Sequence, residues 1–342
     1  MKRFSFIGVM VLMAGLCFST SALAANKLNM VCSAEIDWCQ LMVTEFEKET
    51  GIKVSMVRKS TSETFAQIKA ERKNPKLDIW WGGTGDPHLQ AAEVGLTQKY
   101  KSPNLDKLQD WAIRQAKQSG YKTVGIYAGA LGMGYNTQIL TKKNLPAPKS
   151  WNDLIKPIYK GHVQMANPNS SGTAYTTLAT IVQVFGEDEG FEFMKKLHLN
   201  INQYTKSGSA PIKAAARGEN TIAITFLHDA VKHAVMKFPI DMAAPSEGTG
   251  YEVGSMSIVK GARNLKNAKK WYEFALRADI QSKAAQVKSY QVPSNKMAQV
   301  PKEAPRLEDI KLIDYDFATF GSKATRSRLL RKWDEEVKPI AR

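Results

Sequence analysis

Asp78-Ile79-Trp80-Trp81-Gly82-Gly83-Thr84-Gly85-Asp86-Pro87 compresses a strand, a turn and a helix start into one short segment. Leu77 to Trp81 is the kind of apolar run that forms a fully buried strand. Gly82-Gly83-Thr84-Gly85 reads as a tight loop, and Asp86-Pro87 as an N-cap with proline at the first helical position. The same pattern recurs upstream. Lys27 to Val31 reads as a strand, and Ile36, Cys39, Val43 and Phe46 fall at helical spacing before the helix-stopping Gly51. Ile52, Val54 and Met56 alternate with Lys53 and Ser55 in a second strand. Ser60-Thr61-Ser62-Glu63 is a capping box that opens a helix ending before Asn74-Pro75. Strands alternating with helices at this spacing imply a parallel sheet covered by helices.

Downstream the pattern breaks once and resumes. Val124-Gly125-Ile126-Tyr127 and Leu131-Gly132-Met133-Gly134-Tyr135-Asn136 are extended and glycine-rich with no helix between them, as suits a chain passing between lobes. Beyond Lys149 come a capped helix from Ser150, a strand at His162 to Met165, a long helix from Thr173 and a strand near Asn202. A helix from Pro211 to Arg217, a strand from Thr221 to Phe226 and a helix from Asp229 follow, and Gly248 to Lys260 is a second extended crossing. A chain of 342 residues is too long for one ordinary core. The expected architecture is therefore α/β with two lobes, each an open sheet flanked by helices, joined by hinge strands. The expected division is 25–127 with 248–300 for the first lobe and 128–247 with 301–342 for the second, after a leader over 1–24.

The leader rests on its own evidence. Lys2 and Arg3 precede an apolar run from Phe4 to Phe18, and Ala22-Leu23-Ala24 is a small-x-small cleavage sequence. The run is short for a bilayer span, which needs about 20 apolar residues. Cys17 follows Leu16 rather than a small residue, which favours cleavage after Ala24 over a lipid anchor. Secretion is expected, and losing Lys2 and Arg3 lowers the formal charge from +16 to +14. Apolar residues at 43% and charged residues at 23% exclude disorder and a polytopic membrane protein. The basic balance points to anionic partners, but Lys and Arg are spread along the chain without the aromatic-interleaved stripe of a nucleic-acid binder. Cys32 and Cys39 remain after cleavage; an oxidising compartment favours a local disulfide, and two reduced half-buried thiols are the alternative.

Ligands of open parallel sheets bind beyond the carboxyl ends of the strands. The residues at those ends are Ser33, then Ser60-Thr61-Ser62, then Gly82-Gly83-Thr84-Gly85. In the second half they are Asn167 to Thr173, Lys206-Ser207-Gly208-Ser209 and His228-Asp229. Hydroxyls and free backbone N–H groups at helix starts, with glycine permitting close approach, form an anion site. Such residues also serve as ordinary N-caps; repetition along one sheet edge favours a ligand. His228-Asp229 suits a polyol, since Asp accepts two hydroxyl hydrogens and neutral His one, and Glu252 on the second crossing adds a carboxylate. The plainer alternative makes Asp229 a helix cap and His228 a satisfied core histidine. Asp229 and His233 are four apart, but they lack a complete metal-ligand set, so no metal is assigned. Trp80 and Trp81 read as strand-end packing, with stacking on a ligand as the alternative. No G-x-S-x-G, H-E-x-x-H, Walker A or post-strand G-x-G-x-x-G sequence occurs, which speaks against an enzyme.

Asp78 to Gly83, Gly134-Tyr135-Asn136, Ser171-Gly172-Thr173-Ala174 and the strand-helix at Ile222 to His233 together resemble bacterial periplasmic solute-binding proteins of the ferric-ion-binding type. The resemblance spans the mature chain. It implies the type 2 periplasmic-binding fold and a hinge-closing receptor that delivers its ligand to an inner-membrane ABC transporter permease. The iron binders carry an adjacent tyrosine pair at the strand-helix junction; here that junction is Phe226-Leu227-His228-Asp229, and no Tyr-Tyr pair occurs in the chain. Ser171, Gly172 and Thr173 match the part of the pocket that holds an anion beside the iron. His228, Asp229 and Glu252 resemble the trio of a hexose-phosphate-binding subgroup.

The expected function is thus a monomeric, cofactor-free receptor for a small phosphorylated ligand, a hexose 6-phosphate. Ser33, Thr84, Ser171, Gly172, Thr173 and Ser207 are assigned to the phosphate, and His228, Asp229 and Glu252 to the sugar hydroxyls. A ferric-binding receptor and an organophosphonate or phosphate receptor are the alternatives.

Overall fold

A computed structural model describes residues 26–342. The leader, with its cleavage after Ala24, lies outside the described residues. The first half runs β1 (Lys27–Cys32), α1 (Ile36–Thr50), β2 (Lys53–Arg58), α2 (Thr61–Ala70), β3 (Ile79–Trp81), α3 (Gly85–Glu93) and α4 (Asp110–Gln118). Then come the long β4 (Val124–Asn136), α5 (Thr137–Lys142), β5 (Val163–Ala166), α6 (Gly172–Phe185), α7 (Glu187–Asn200) and β6 (Ile201–Thr205). The chain continues through α8 (Ala210–Ala216), β7 (Ile222–Phe226), α9 (Leu227–Val235), β8 (Ile240–Ala243) and β9 (Tyr251–Ile258). It closes with α10 (Leu265–Ala275), α11 (Ala278–Gln281), β10 (Val292–Pro293), α12 (Phe317–Phe320) and α13 (Lys323–Glu336).

The strands follow the order β2-β1-β3-β9-β4-β7-β5-β6. β4 is the strand common to both lobes: Val124 to Ala130 pair with β9, whereas Leu131 to Asn136 pair with β7 and β8. Two hydrophobic cores form on either side of that handover. Trp38, Phe46, Trp81 and Trp271 centre the first, and Trp151, Tyr175, Leu178 and Trp333 the second. Full burial of each such side chain contributes roughly 1.5–3 kcal/mol, so each lobe has a core of its own. Trp333 of α13 belongs to the second core, which ties the end of the chain to that lobe. The α/β two-lobe class is as expected from the sequence.

Several local details differ. The pairing is parallel for β1 with β2 and β3, and for β5 with β6 and β7, but β4 and β9 run antiparallel to each other, β9 to β3, and β4 to β7. Hinge strands pass between lobes without a helical crossover and so enter each sheet against its direction. The turn after Ser150 is a 3₁₀ segment, Asn152–Ile155, because Lys156 before Pro157 is held extended at φ −69°, ψ 138°. α3 begins at Gly85 with Thr84 as N-cap, two residues earlier than Asp86-Pro87 implied. α9 likewise begins at Leu227, so Asp229 lies inside its first turn and is not the cap. The capping box of α2 forms, with Ser60 N donating to Glu63 Oε2 at 3.3 Å. Gly51 ends α1 in the left-handed region at φ 68°, which favours glycine.

Candidate functional site

The starts of α1, α2, α3, α6 and α9 face one polar cavity between the lobes. From the first lobe come Ser33 and Glu35, Ser60 and Thr61, and Gly83 and Thr84. From the second come Ser171-Gly172-Thr173, Gly208-Ser209 and His228-Asp229. The first N–H groups of each helix have no partner within it, so the aligned peptide dipoles give these walls a positive character. Thr84 Oγ1 is buried and has no hydrogen-bond partner, a hydroxyl left for a ligand. Arg58, at the end of β2, adds a cation; its Nε donates to Ala34 O at 3.2 Å.

Glycine sets how closely these walls approach. A Cβ on Gly172 would lie 2.0 Å from Thr84 Oγ1 across the cleft. One on Gly129 of β4 would lie 2.3 Å from His228 Nδ1, so the imidazole is seated directly on the hinge strand. Tyr127 Oη accepts a 2.8 Å hydrogen bond from Gly83 N and fixes the loop that carries Thr84.

The same cavity is lined by titratable groups. His228 Nε2 lies 3.7 Å from Asp229 Oδ1 and 3.7 Å from Glu252 Oε1. Burial lowers the His228 pKa to about 3, so the ring is neutral at pH 7. Burial, reinforced by the charges of Asp229 and Asp86, pushes Glu252 well above the usual carboxylate range, toward its protonated form. Asp229 is raised to about 7 by burial and then by the Glu35 charge. Glu35 goes the other way: burial raises it, but Lys213, Ser209 and Arg58 outweigh that and hold it at about 2. His228 and Glu252 therefore form no ion pair. They make a low-charge, hydrogen-bonding surface beside an adjustable carboxylate.

Ser33, Thr84, Ser171, Gly172, Thr173, His228, Asp229 and Glu252 are thus brought together on one cavity. Ser207 is not on its wall; it sits 3.4 Å from Arg58 Nη2 and 3.4 Å from Ser209 Oγ, and Ser209 takes the place facing the cavity. The two residues lie two positions apart at a helix entrance, which hydroxyl spacing alone does not resolve. Arg58, Thr61, Tyr127 and Gln291 also line the cavity. Arg58 and Thr61 flank a strand end and were within reach of the strand-end rule; Gln291 enters from a distant segment with no local pattern. Ser62 turns away and accepts from Arg326 Nη2 at 2.7 Å. Trp80 stacks on His88 at 3.6 Å and Trp81 packs edge-on against Trp38 at 5.1 Å, so both serve the core. Cys32 and Cys39 are joined, with Cα atoms 6.1 Å apart, and the bridge braces the loop carrying Ser33 and Glu35. Among the described residues no group of three or more His, Cys, Asp or Glu is placed to hold a metal.

A polar cavity between two lobes that share hinge strands, walled by helix starts from both, defines a solute receptor of the two-lobe type. The chain belongs to the bacterial extracellular solute-binding protein family, whose profile matches residues 74–319. An uncharacterized protein of Haemophilus influenzae is 44% identical over 334 residues, 97% of this chain and 96% of its own. The periplasmic binding protein AfuA from Actinobacillus pleuropneumoniae, solved with exogenous fructose-6-phosphate bound, is 44% identical with a TM-score of 0.90 over 92% of this chain and 99% of its own. Iron-bound HitA from Pseudomonas aeruginosa, at 19% identity and a TM-score of 0.75 over 90% of this chain and 98% of its own, shares the fold. Among the described residues no helix is long and apolar enough to cross a membrane.

Proposed function

We propose that this chain is the periplasmic substrate-binding component of an ABC importer and that it closes its lobes around a hexose 6-phosphate. The observation that carries the reading is the chemical asymmetry of the cavity. Part of its wall offers hydroxyls and helix starts, including the unpartnered Thr84 hydroxyl; the rest offers neutral His228, Asp229 and Glu252, whose charged form burial disfavours. A buried phosphate dianion needs many donors, because a charge left unpaired in a closed site costs several kcal/mol. Thr84, Ser171, Thr173 and Ser209 with the adjacent N–H groups supply them, Ser33 and Gly172 shape the same wall, and Arg58 supplies a counter-charge. The sugar hydroxyls then face acceptors and donors of graded strength: Asp229 accepts, Glu252 donates or accepts, and His228 does either according to tautomer. The fructose-6-phosphate bound in AfuA supports the same class of ligand here.

Closure follows from residues on both walls contacting one ligand. The two cores support a division into 25–127 with 248–300 and 128–247 with 301–342, hinged on β4 and β9. The liganded receptor then docks on an inner-membrane permease. The chain acts as a receptor without turnover, as its family does. The ferric alternative is poorly served: hard ferric ion wants anionic oxygen ligands, while burial drives Glu252 toward its protonated form and the phenol of Tyr127, held well above its usual pKa by burial, is committed to Gly83.

Calorimetry on the mature protein tests the proposal. Glucose 6-phosphate or fructose 6-phosphate should bind with a single site, inorganic phosphate more weakly, and ferric citrate not at all. Absence of heat with either sugar phosphate, together with tight ferric binding, would overturn it.

A further inference from the structure

Three ion pairs cross the mouth of the cleft with one polarity. Lys213 Nζ of α8 lies 2.6 Å from Glu35 Oε2, Lys232 Nζ of α9 lies 2.7 Å from Asp37 Oδ2, and Lys206 Nζ lies 2.7 Å from Glu63 Oε1. Every lysine comes from the second lobe and every acid from a helix start of the first. None of the three lysines lines the cavity. Arg326 of α13 repeats the sense deeper in the interface: it is buried, and its Nη1 and Nη2 donate to Gln90 Oε1 at 3.2 Å and Ser62 Oγ at 2.7 Å on the first lobe.

Charges sorted this way fix an order of events. When the lobes part, Glu35, Asp37 and Glu63 leave with the first lobe. Lys206, Lys213 and Lys232 stay with the second lobe, where Lys213 and Lys232 still face Asp229. An open second lobe then presents three more cations and helix starts to an incoming anion, whereas on the open first lobe Glu35, Asp37 and Glu63 offset the cation of Arg58. Fields of this kind raise the encounter rate of a charged ligand by about 10–10³-fold and are screened by salt.

We propose that the second lobe captures the ligand. Lys206, Lys213 and Lys232 are positioning residues for anion entry that are absent from the closed pocket, and closure neutralises them against Glu35, Asp37 and Glu63, latching the lobes. The capture half of this inference rests on the anionic-ligand reading above; the latch half does not. Nothing covalent is involved, and the lysines hand the anion to the helix starts as they exchange it for carboxylates.

Two readouts on the full mature chain test it, using the triple variant K206Q/K213Q/K232Q. X-ray scattering of ligand-free protein at about 0.02 M and about 0.5 M salt brackets strong and weak screening. Wild type should be compact at low salt and expand at high salt, and the triple variant should be expanded at both. Stopped-flow mixing with glucose 6-phosphate should show association about tenfold slower in the triple variant at low salt, with a flattened salt slope. The variant D37N/E63Q, which keeps the lysines, should associate at least as fast as wild type and dissociate faster. Equal association rates in wild type and triple variant overturn the capture role, and identical scattering overturns the latch. If wild type takes up no glucose 6-phosphate, the sugar-phosphate reading and the capture role fall together, while the scattering comparison still decides the latch.

Discussion

On part of the cavity wall, Thr84, Ser171 and Ser209 sit at helix starts whose positive character does not change with pH. On the rest, His228, Asp229 and Glu252 are titratable groups whose charged forms burial disfavours. The first set suits a group of fixed charge, because its donors are oriented before the ligand arrives and need no proton exchange. The second suits neutral hydroxyls, since two full carboxylates there would repel each other and any phosphate. On the proposed reading, lowering charge by burial would let one cavity hold a dianion and read a polyol together. The two sets also differ mechanically: the hydroxyls at helix starts come from both lobes, whereas Glu252 and the seat of His228 at Gly129 belong to the hinge strands.

Disrupting assembly should therefore cost more than altering the titratable set. Gly172→Ala places a Cβ where Thr84 Oγ1 must come, and closure would have to stop short. Affinity for glucose 6-phosphate should fall about 100-fold, equivalent to about 2.7 kcal/mol, by calorimetry. Thr84→Ala in the same chain should recover part of that loss, because the remaining neighbours of the new methyl lie at 3.0 and 3.1 Å. Full affinity in Gly172→Ala alone would mean that the two walls do not meet on the ligand.

Asp229→Ala probes the other set. It removes one hydroxyl acceptor, a loss of about 1–3 kcal/mol for a buried polar partner left unpaired. Hexose phosphate affinity should drop roughly 10- to 100-fold while inorganic phosphate affinity stays within a factor of two or three. The ratio of the two dissociation constants is the measurement. Equal losses for both ligands would mean that the two sets do not act separately.

The lobes, their cores and the hinge crossings were legible because strand and helix periods and the glycine-rich segments Val124 to Asn136 and Gly248 to Lys260 are local properties of the chain. Most of the cavity was legible for a related reason: the ends of parallel strands collect on one edge, so Ser33, Thr84, Ser171 and His228 are neighbours by topology. What escaped was set by facing rather than order. Ser207 and Ser209 both follow one strand, and only the turn into α8 chooses between them. Tyr127 contributes through a side-chain hydrogen bond to Gly83, 44 positions back along the chain. The raised pKa of Glu252 depends on burial and on Asp229 and Asp86, which come from other elements.

The smallest expected effect isolates the adjustable carboxylate. Asp229 titrates near 7 in the ligand-free cleft because burial and the Glu35 charge oppose its ionisation. A raised pKa means that the folded protein holds a proton the unfolded chain, with an ordinary pKa of about 3.9, has released. Its contribution to stability is complete below that value and is lost as pH rises through about 7. Sugar hydroxyls that donate to the carboxylate favour its charged form and pull the pKa down. Binding must then expel a fraction of a proton near pH 6.5, and affinity must rise with pH up to about 7. Calorimetry in buffers of different ionisation enthalpy measures that proton count. The ligand phosphate, with a second pKa of about 6, releases protons of its own, so the informative quantity is the difference between wild type and Asp229→Asn. Wild type should release more; equal release, or net uptake by wild type, would show that Asp229 does not accept from the ligand.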